Sequence, residues 1–155
     1  MVLVEIKARF DESANIKRAR KLEEAGCHVV YGLVNLKVHC KLCLVVRKET
    51  DGIRRYAHLA TGNYNRVTSQ VYTDLGLFTA DERILDDVTE VFNSLTGYSS
   101  RRSHRALLVA PVGLRQGFRA LVEREMAHAA QGRKAGIVIK NNAVADKGMI
   151  QALFR

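Results

Sequence analysis

Proline is nearly missing from this chain. Pro111 is the only one in 155 residues, which excludes long proline-rich linkers. Long apolar runs are missing too, since no stretch approaches the roughly 18 to 20 residues of a membrane-spanning helix. The opening residues, MVLVEIKARF, become charged too soon for a signal peptide. Cysteine is scarce and odd in number, at three, and nothing points to export, so reduced thiols in a cytoplasm are expected. Acidic residues are outnumbered, 16 against 25 Lys and Arg, leaving a formal charge of +9. That excess favours a polyanionic partner, whether nucleic acid, a phosphate-rich substrate or an anionic membrane, without choosing among them. What remains is a globular composition, 47% hydrophobic and 26% charged, with a length suited to one domain or one plus part of another.

VLVEI reads as a strand, DESANIKRARKLEEAG as a helix stopped by Gly26, and CHVVYG as a second strand. Strand, helix and strand in about 30 residues form a βαβ unit, with parallel strands and a right-handed crossover. Residues 36–46 and 54–60 read as two further strands, with Asp51-Gly52 as a hairpin signal, so the sheet is expected to be mixed. ATGNYNRVTSQVYTDLGLFT has few periodic apolar positions and reads as a long functional loop or a broken segment. TADERILDDVTEVFNSLTG is the clearest helix, with Thr79 and Glu82 in a capping-box pattern. Its stripe is Ile84, Val88, Val91 and Leu95, widened by Leu85 and Phe92. After the basic segment YSSRRSHR the strand–helix order resumes. ALLVAP is a strand, LRQGFRALVEREMAHAAQG a helix, AGIVIK a strand, and DKGMIQALFR a helix capped by Asp146. Both ends read as cut, and a fragment of a longer enzyme is expected.

The stretch LKVHCKLCLVV, residues 36–46, carries the chemistry. Read as a strand, it sends Leu36, Val38, Cys40, Leu42, Leu44 and Val46 to one face and Lys37, His39 and Lys41 to the other. His39 has three readings: a nucleophile, a metal ligand with Cys40 and Cys43, or a half-exposed strand histidine. Zinc is disfavoured, because the two cysteines diverge and only Cys27 remains elsewhere; small buried side chains are the expectation for the cysteines. Flanking lysines lower the histidine pKa and keep the ring neutral, and a neutral imidazole attacks phosphorus while the cations hold phosphate oxygens. Downstream, ATGNYN offers Gly62 for close backbone approach to an anion, with Thr61, Asn63 and Asn65 as donors and acceptors; a turn capped by asparagines is the alternative. Lys7 and Arg9 fall at the carboxyl end of the first strand, where Arg9 forks phosphate oxygens or else pairs with Asp11 or Glu12. Tyr72 stacks on a base, donates to phosphate, or sits in the core.

With these residues in view, the chain resembles the bacterial polyphosphate kinases of the histidine-phosphorylating type. The similar stretches are VEIKARFDESANIKRARKLEEAGCHVVYG, LKVHCKLCLVVRKETDGIRRYAHLATGNYN, VYTDLGLFTADERI and most of the sequence from LLVAPVGLRQGF onward. The resemblance implies a phospholipase-D-like α/β fold, a mixed β-sheet flanked by helices, here truncated at both ends. Residues 1–105 would be most of the first catalytic domain and 106–155 the beginning of the second. It implies reversible transfer of the terminal phosphate of ATP to inorganic polyphosphate with Mg2+, in a cytoplasmic enzyme that is a homo-oligomer when full length, with association to a membrane left open. By resemblance His39 is phosphorylated, Lys41 neutralises phosphate charge, Arg9 belongs to the phosphate and magnesium site, Tyr72 contacts ATP, and Asn63 and Asn65 lie in the family's glycine-threonine-glycine-asparagine loop. Two departures stand out. Ala60 replaces the glycine that opens that loop, and Arg47 and Lys48 stand where phospholipase D motifs carry an aspartate, against lipid phosphodiesterase activity. The domains and second histidine of the full-length family enzyme lie outside this chain, so little kinase activity is expected from it alone. The competing readings are a phospholipase-D-type phosphodiesterase acting on nucleic acid and a basic polyanion-binding module without catalysis.

Overall fold

The structure is a computed structural model that describes residues 1–5, 12–33, 36–97, 103–141 and 143–154. The roles expected of Lys7, Arg9 and Asp11 lie outside these residues. The chain divides into two units, Met1–Arg101 and Arg102–Arg155.

The first unit begins with the expected βαβ order. Strand β1 (Val2–Val4) and strand β2 (Val29–Tyr31) pair in parallel, with Leu3 opposite Val30, and helix α1 (Glu12–Glu24) connects them. Gly26 ends α1 at φ 82°, where its N–H donates to Glu23 O and the Cys27 N–H donates to Leu22 O. Those two bonds satisfy carbonyls that the last turn leaves open, and a side chain at this φ would be strained.

Strands β3 (Lys41–Glu49), β4 (Gly52–Ala60) and β5 (Gly76–Thr79) form an antiparallel sheet in the order β3–β4–β5. The hairpin falls one residue earlier than its sequence signal. Glu49 pairs with Gly52, so Thr50 and Asp51 make the turn and Gly52 opens the return strand. Two further features bear on the site. Residues 37–40 precede β3 instead of belonging to it, so His39 sits on an approach segment and not on a strand face. The segment read as a long loop or a broken segment is broken, holding a 3-10 turn at Thr68–Gln70 and ending in a strand, β5, where Gly76–Thr79 pairs with β4.

Helix α2 (Glu82–Leu95) lies on this sheet and supplies most of the core: Leu85, Val88 and Val91 are buried, as is Ala57 of β4. Of the expected stripe, Leu85, Val88 and Val91 are buried and Ile84 is half-buried. The cap differs. Thr79 closes β5 and accepts a hydrogen bond from the Asp81 N–H, and Asp81 caps the helix by accepting from the Arg83 N–H. Arg55 ties strand to helix, donating to Glu82, to Asp86 at 2.8 Å and to Thr89 at 3.2 Å.

In the second unit, helix α3 (Leu114–Ala130) and helix α4 (Lys147–Leu153) form where the periodicity places them. Asp146 caps α4 by accepting from the Met149 N–H at 2.9 Å. ALLVAP and AGIVIK, expected as strands, are not strands among the described residues. Val138, in the second of these segments, is fully exposed. No helix among the described residues is long and apolar enough to cross a membrane.

Candidate active site around His39

The approach segment to β3 is fixed from β1. Glu5, just past β1, accepts the Val38 N–H on Oε2 at 2.9 Å, and the Asn15 side chain of α1 donates to the Glu5 carbonyl at 3.2 Å. These bonds hold residue 38, and therefore His39, beside both elements of the βαβ unit. Lys41, the first residue of β3, folds back on the histidine: its Nζ lies 2.7 Å from His39 O, 3.0 Å from Nδ1 and 3.2 Å from Nε2. Near-equal distances to both ring nitrogens put the ammonium alongside the ring, not on the lone pair of one nitrogen.

That charge has a chemical consequence. The His39 pKa is lowered from its ordinary value, first by the Lys41 charge, then by partial desolvation and by Lys37. The neutral, nucleophilic ring therefore persists to lower pH than in an isolated histidine. Lys41 is itself lowered, mainly by desolvation. A Lys41→Gln substitution is expected to move the His39 titration to higher pH, read from the ring-proton NMR shifts of the 155-residue chain. An unchanged titration would remove Lys41 as the cause.

The loop after β4 closes the opposite side of the sequence motif. Thr61 joins the base of the loop: its hydroxyl donates to Asp74 Oδ1 at 2.9 Å and accepts the Leu75 N–H at 3.0 Å. Asp74 occupies the space where a Cβ on Gly62 would stand, with the Asp74 Cγ only 2.6 Å from that position. A side chain at position 62 would have to displace the Asp74 carboxylate, so the loop has a packing reason of its own for glycine here. Asn65 accepts the Val67 and Thr68 N–H groups on Oδ1 at 2.9 and 3.2 Å, capping the short 3-10 turn Thr68–Gln70. Both readings of ATGNYN therefore have a physical basis: it is an asparagine-capped turn, and it also faces His39.

A cleft of about 520 Å³ brings the parts together. Lys37, His39 and Lys41 line it, with Asn63 and Asn65 from the loop and Asn15 and Arg18 from α1. Thr61 does not line it, and neither does Tyr72. Tyr72 is 66% exposed and lines a neighbouring cleft of about 460 Å³ with Thr73 and Asp74. Asn63 and Tyr64 line both clefts, so the two are contiguous. Tyr64 is oriented by His58, whose Nδ1 lies 2.9 Å from the tyrosine hydroxyl and whose ring stacks on Phe78 at 4.3 Å. Asn15, Arg18 and His58 escaped sequence reasoning, because each reaches the site through packing between separate elements, whereas Tyr64 lies inside ATGNYN and was passed over there for its polar neighbours.

The cysteines are not buried as expected. Cys40 and Cys43 are exposed and Cys27 is half-buried. Cys40 lies ahead of the strand, and Cys43 stands opposite His58 on the sheet face away from α2. Desolvation around the sulfur still raises the Cys40 thiol pKa, which keeps it protonated. As for magnesium, no group of three or more His, Cys, Asp or Glu side chains able to hold a metal ion occurs among the described residues. The one carboxylate lining the His39 cleft, Glu5, accepts a backbone N–H. The described residues therefore do not form a carboxylate cage for magnesium.

The family description "Polyphosphate kinase C-terminal domain 1" matches residues 1–101, and "Polyphosphate kinase C-terminal domain 2" matches residues 107–155. The polyphosphate kinase of Streptomyces coelicolor is 56% identical over 155 residues, which is all of this chain and 21% of that protein. The polyphosphate kinase of Mycolicibacterium gilvum is 57% identical over the same share. Among solved structures, the crystal structure of polyphosphate kinase from Porphyromonas gingivalis matches 99% of this chain and 26% of its own, with a TM-score of 0.82 and 34% identity. The chain thus spans about a fifth of the length of the curated relatives it matches. The resemblance read from the motifs and the α/β, phospholipase-D-like fold it implied are both borne out.

Proposed function

Because this chain belongs to the polyphosphate kinase family, we propose that His39 is the residue that takes the terminal phosphoryl group of ATP and passes it to inorganic polyphosphate. The observation that carries this reading is the Lys41 ammonium 3.0 Å from the His39 ring, in a cleft that also gathers Lys37, Asn63 and Asn65. In the first step a lone pair of the neutral imidazole forms an N–P bond as the bond between the γ-phosphorus and its bridging oxygen breaks, and ADP leaves with that electron pair. In the second step the terminal oxygen of a polyphosphate chain attacks the phosphohistidine, the N–P bond breaks, and the chain is one unit longer. Reversal gives ATP.

Phosphoryl transfer asks for positioning and charge stabilisation more than for covalent help. Lys41 and Lys37 offset the charge on the transferring group, and the Asn63 carboxamide donates to its oxygens. Tyr72, in the contiguous cleft, contacts the nucleotide. Asn65 holds the loop, and Thr61 fixes its base. Arg9 is assigned to the phosphate site by resemblance alone. Magnesium, by the same resemblance, comes with the nucleotide phosphates, since a hard cation commonly binds there with few protein ligands. We assign residues 1–105 to the first catalytic domain and 106–155 to the start of the second, in a protein that assembles as a homo-oligomer at full length.

The test is a chimaera in which these 155 residues replace the matching stretch of the Streptomyces coelicolor polyphosphate kinase. It is expected to make polyphosphate from ATP and to leave DNA uncut when ATP is absent. A folded chimaera that makes none, or that cleaves DNA without ATP, contradicts the reading and favours a phosphodiesterase.

A further inference from the structure

We infer that Arg18 of α1 is a contact for the polyphosphate chain at a phosphate other than the one being transferred, and that it makes the cleft favour long chains over single phosphates. This deepens the reading of the His39 cleft and rests on it. The cleft's volume of about 520 Å³ falls in the range of sites that hold nucleotide-sized ligands, well beyond one phosphate group. Its cations come from two separate elements. Lys37 and Lys41 flank His39 in sequence, and Arg18 arrives from the helix that crosses between β1 and β2.

Arg18 is held in a way that suits an anion. Among the described residues its guanidinium donates one hydrogen bond, from Nη1 to Asn15 Oδ1 at 3.4 Å. Asn15 in turn donates to the Glu5 carbonyl at 3.2 Å, so the pair is anchored to the same residue whose carboxylate fixes Val38. A guanidinium carries five N–H donors in a rigid fork that matches phosphate oxygens, and one weak bond to a neutral amide leaves most of that capacity and all of the charge for a ligand. A single phosphate beside His39 meets the two lysines. Arg18 lines the same cleft from a different element, so a ligand with several linked phosphates has cations to meet from both sides of the cleft.

The probes are inorganic phosphate, tripolyphosphate and long-chain polyphosphate, titrated into the wild-type 155-residue chain and into R18Q and R18K across a series of salt concentrations. R18Q is expected to weaken long-chain binding about fivefold, the upper range for one exposed ion pair. It is also expected to reduce the slope of log affinity against log salt by about 0.7, the loss of one contact to a single-stranded polyanion. Inorganic phosphate binding stays unchanged, R18K recovers most of the slope, and the unfolding midpoint does not move. R18Q that binds long chains with wild-type affinity and slope overturns the inference while leaving the His39 reading intact. So does an R18Q that loses stability and inorganic phosphate binding together, because that marks a structural role. A wild-type chain with no affinity for polyphosphate at low salt overturns the reading of the cleft, and the inference falls with it.

Discussion

Replacing His39 with alanine in the Streptomyces chimaera lowers ATP-dependent polyphosphate synthesis about ten-thousand-fold or more, the scale on which removal of an attacking group acts in other enzymes. Polyphosphate affinity falls by less than about tenfold, because the charge of the cleft resides in Lys37, Lys41 and Arg18 and not in a neutral ring. The contrast between the two readouts is the point. A histidine that only helped bind the chain would lose affinity and rate in parallel. A histidine that forms the N–P bond loses rate almost alone. Glutamine at position 39 retains a polar side chain without the ring and is expected to behave as alanine does. Steady-state synthesis assays with filter-binding of labelled polyphosphate separate these cases. Comparable losses in both would assign His39 to binding.

Leu85→Ala is expected to destabilise the first unit by about 3 kcal/mol, within the range for a leucine deleted from a tight core. Leu85 is fully buried on α2, with Val88 and Val91 on the same face, and it is the residue on which the helix sits against the sheet. Removing its isopropyl group leaves a cavity in the buried face of α2. Ile53→Ala is the matched control. Ile53 is 77% exposed near the hairpin, and its loss is expected to stay within about 0.5 kcal/mol. Urea denaturation of the two variants measures both. Equal costs at the two positions would mean that α2 does not carry the core.

The elements that were legible in the sequence are those whose signals are local. Gly26 stops α1 because a left-handed residue closes the helix there, and Asp146 caps α4 because its side chain reaches Met149 N–H. Alternation in LCLVV placed Leu42 and Leu44 on one face of β3, and that holds, since Leu44 stands opposite the buried Ala57. The same alternation misled at its N-terminal end. Extending the period back to Leu36 put His39 on a strand, whereas residues 37–40 are tied by a hydrogen bond from Val38 to Glu5 and not by a ladder. The proximity of His39 and Lys41 survives, though for another reason: the lysine turns back over the ring instead of standing two residues away on a shared face. Other segments were less legible. Gly76–Thr79 became a strand because β4 had a free edge for it, while AGIVIK is not a strand among the described residues, and neither fact is written in those segments. Arg18 was invisible for the same kind of reason, as its place at the cleft depends on how α1 lies against the approach to β3.

The most direct measurement is the position of the phosphoryl group itself. The chimaera is incubated with ATP labelled in the γ-phosphate, quenched in alkali and digested, and the modified residue is located by mass spectrometry. An acid-labile label on His39, absent from His39→Ala and discharged by added polyphosphate, is the predicted result. A label that persists in His39→Ala, or that maps to another residue, would contradict the account.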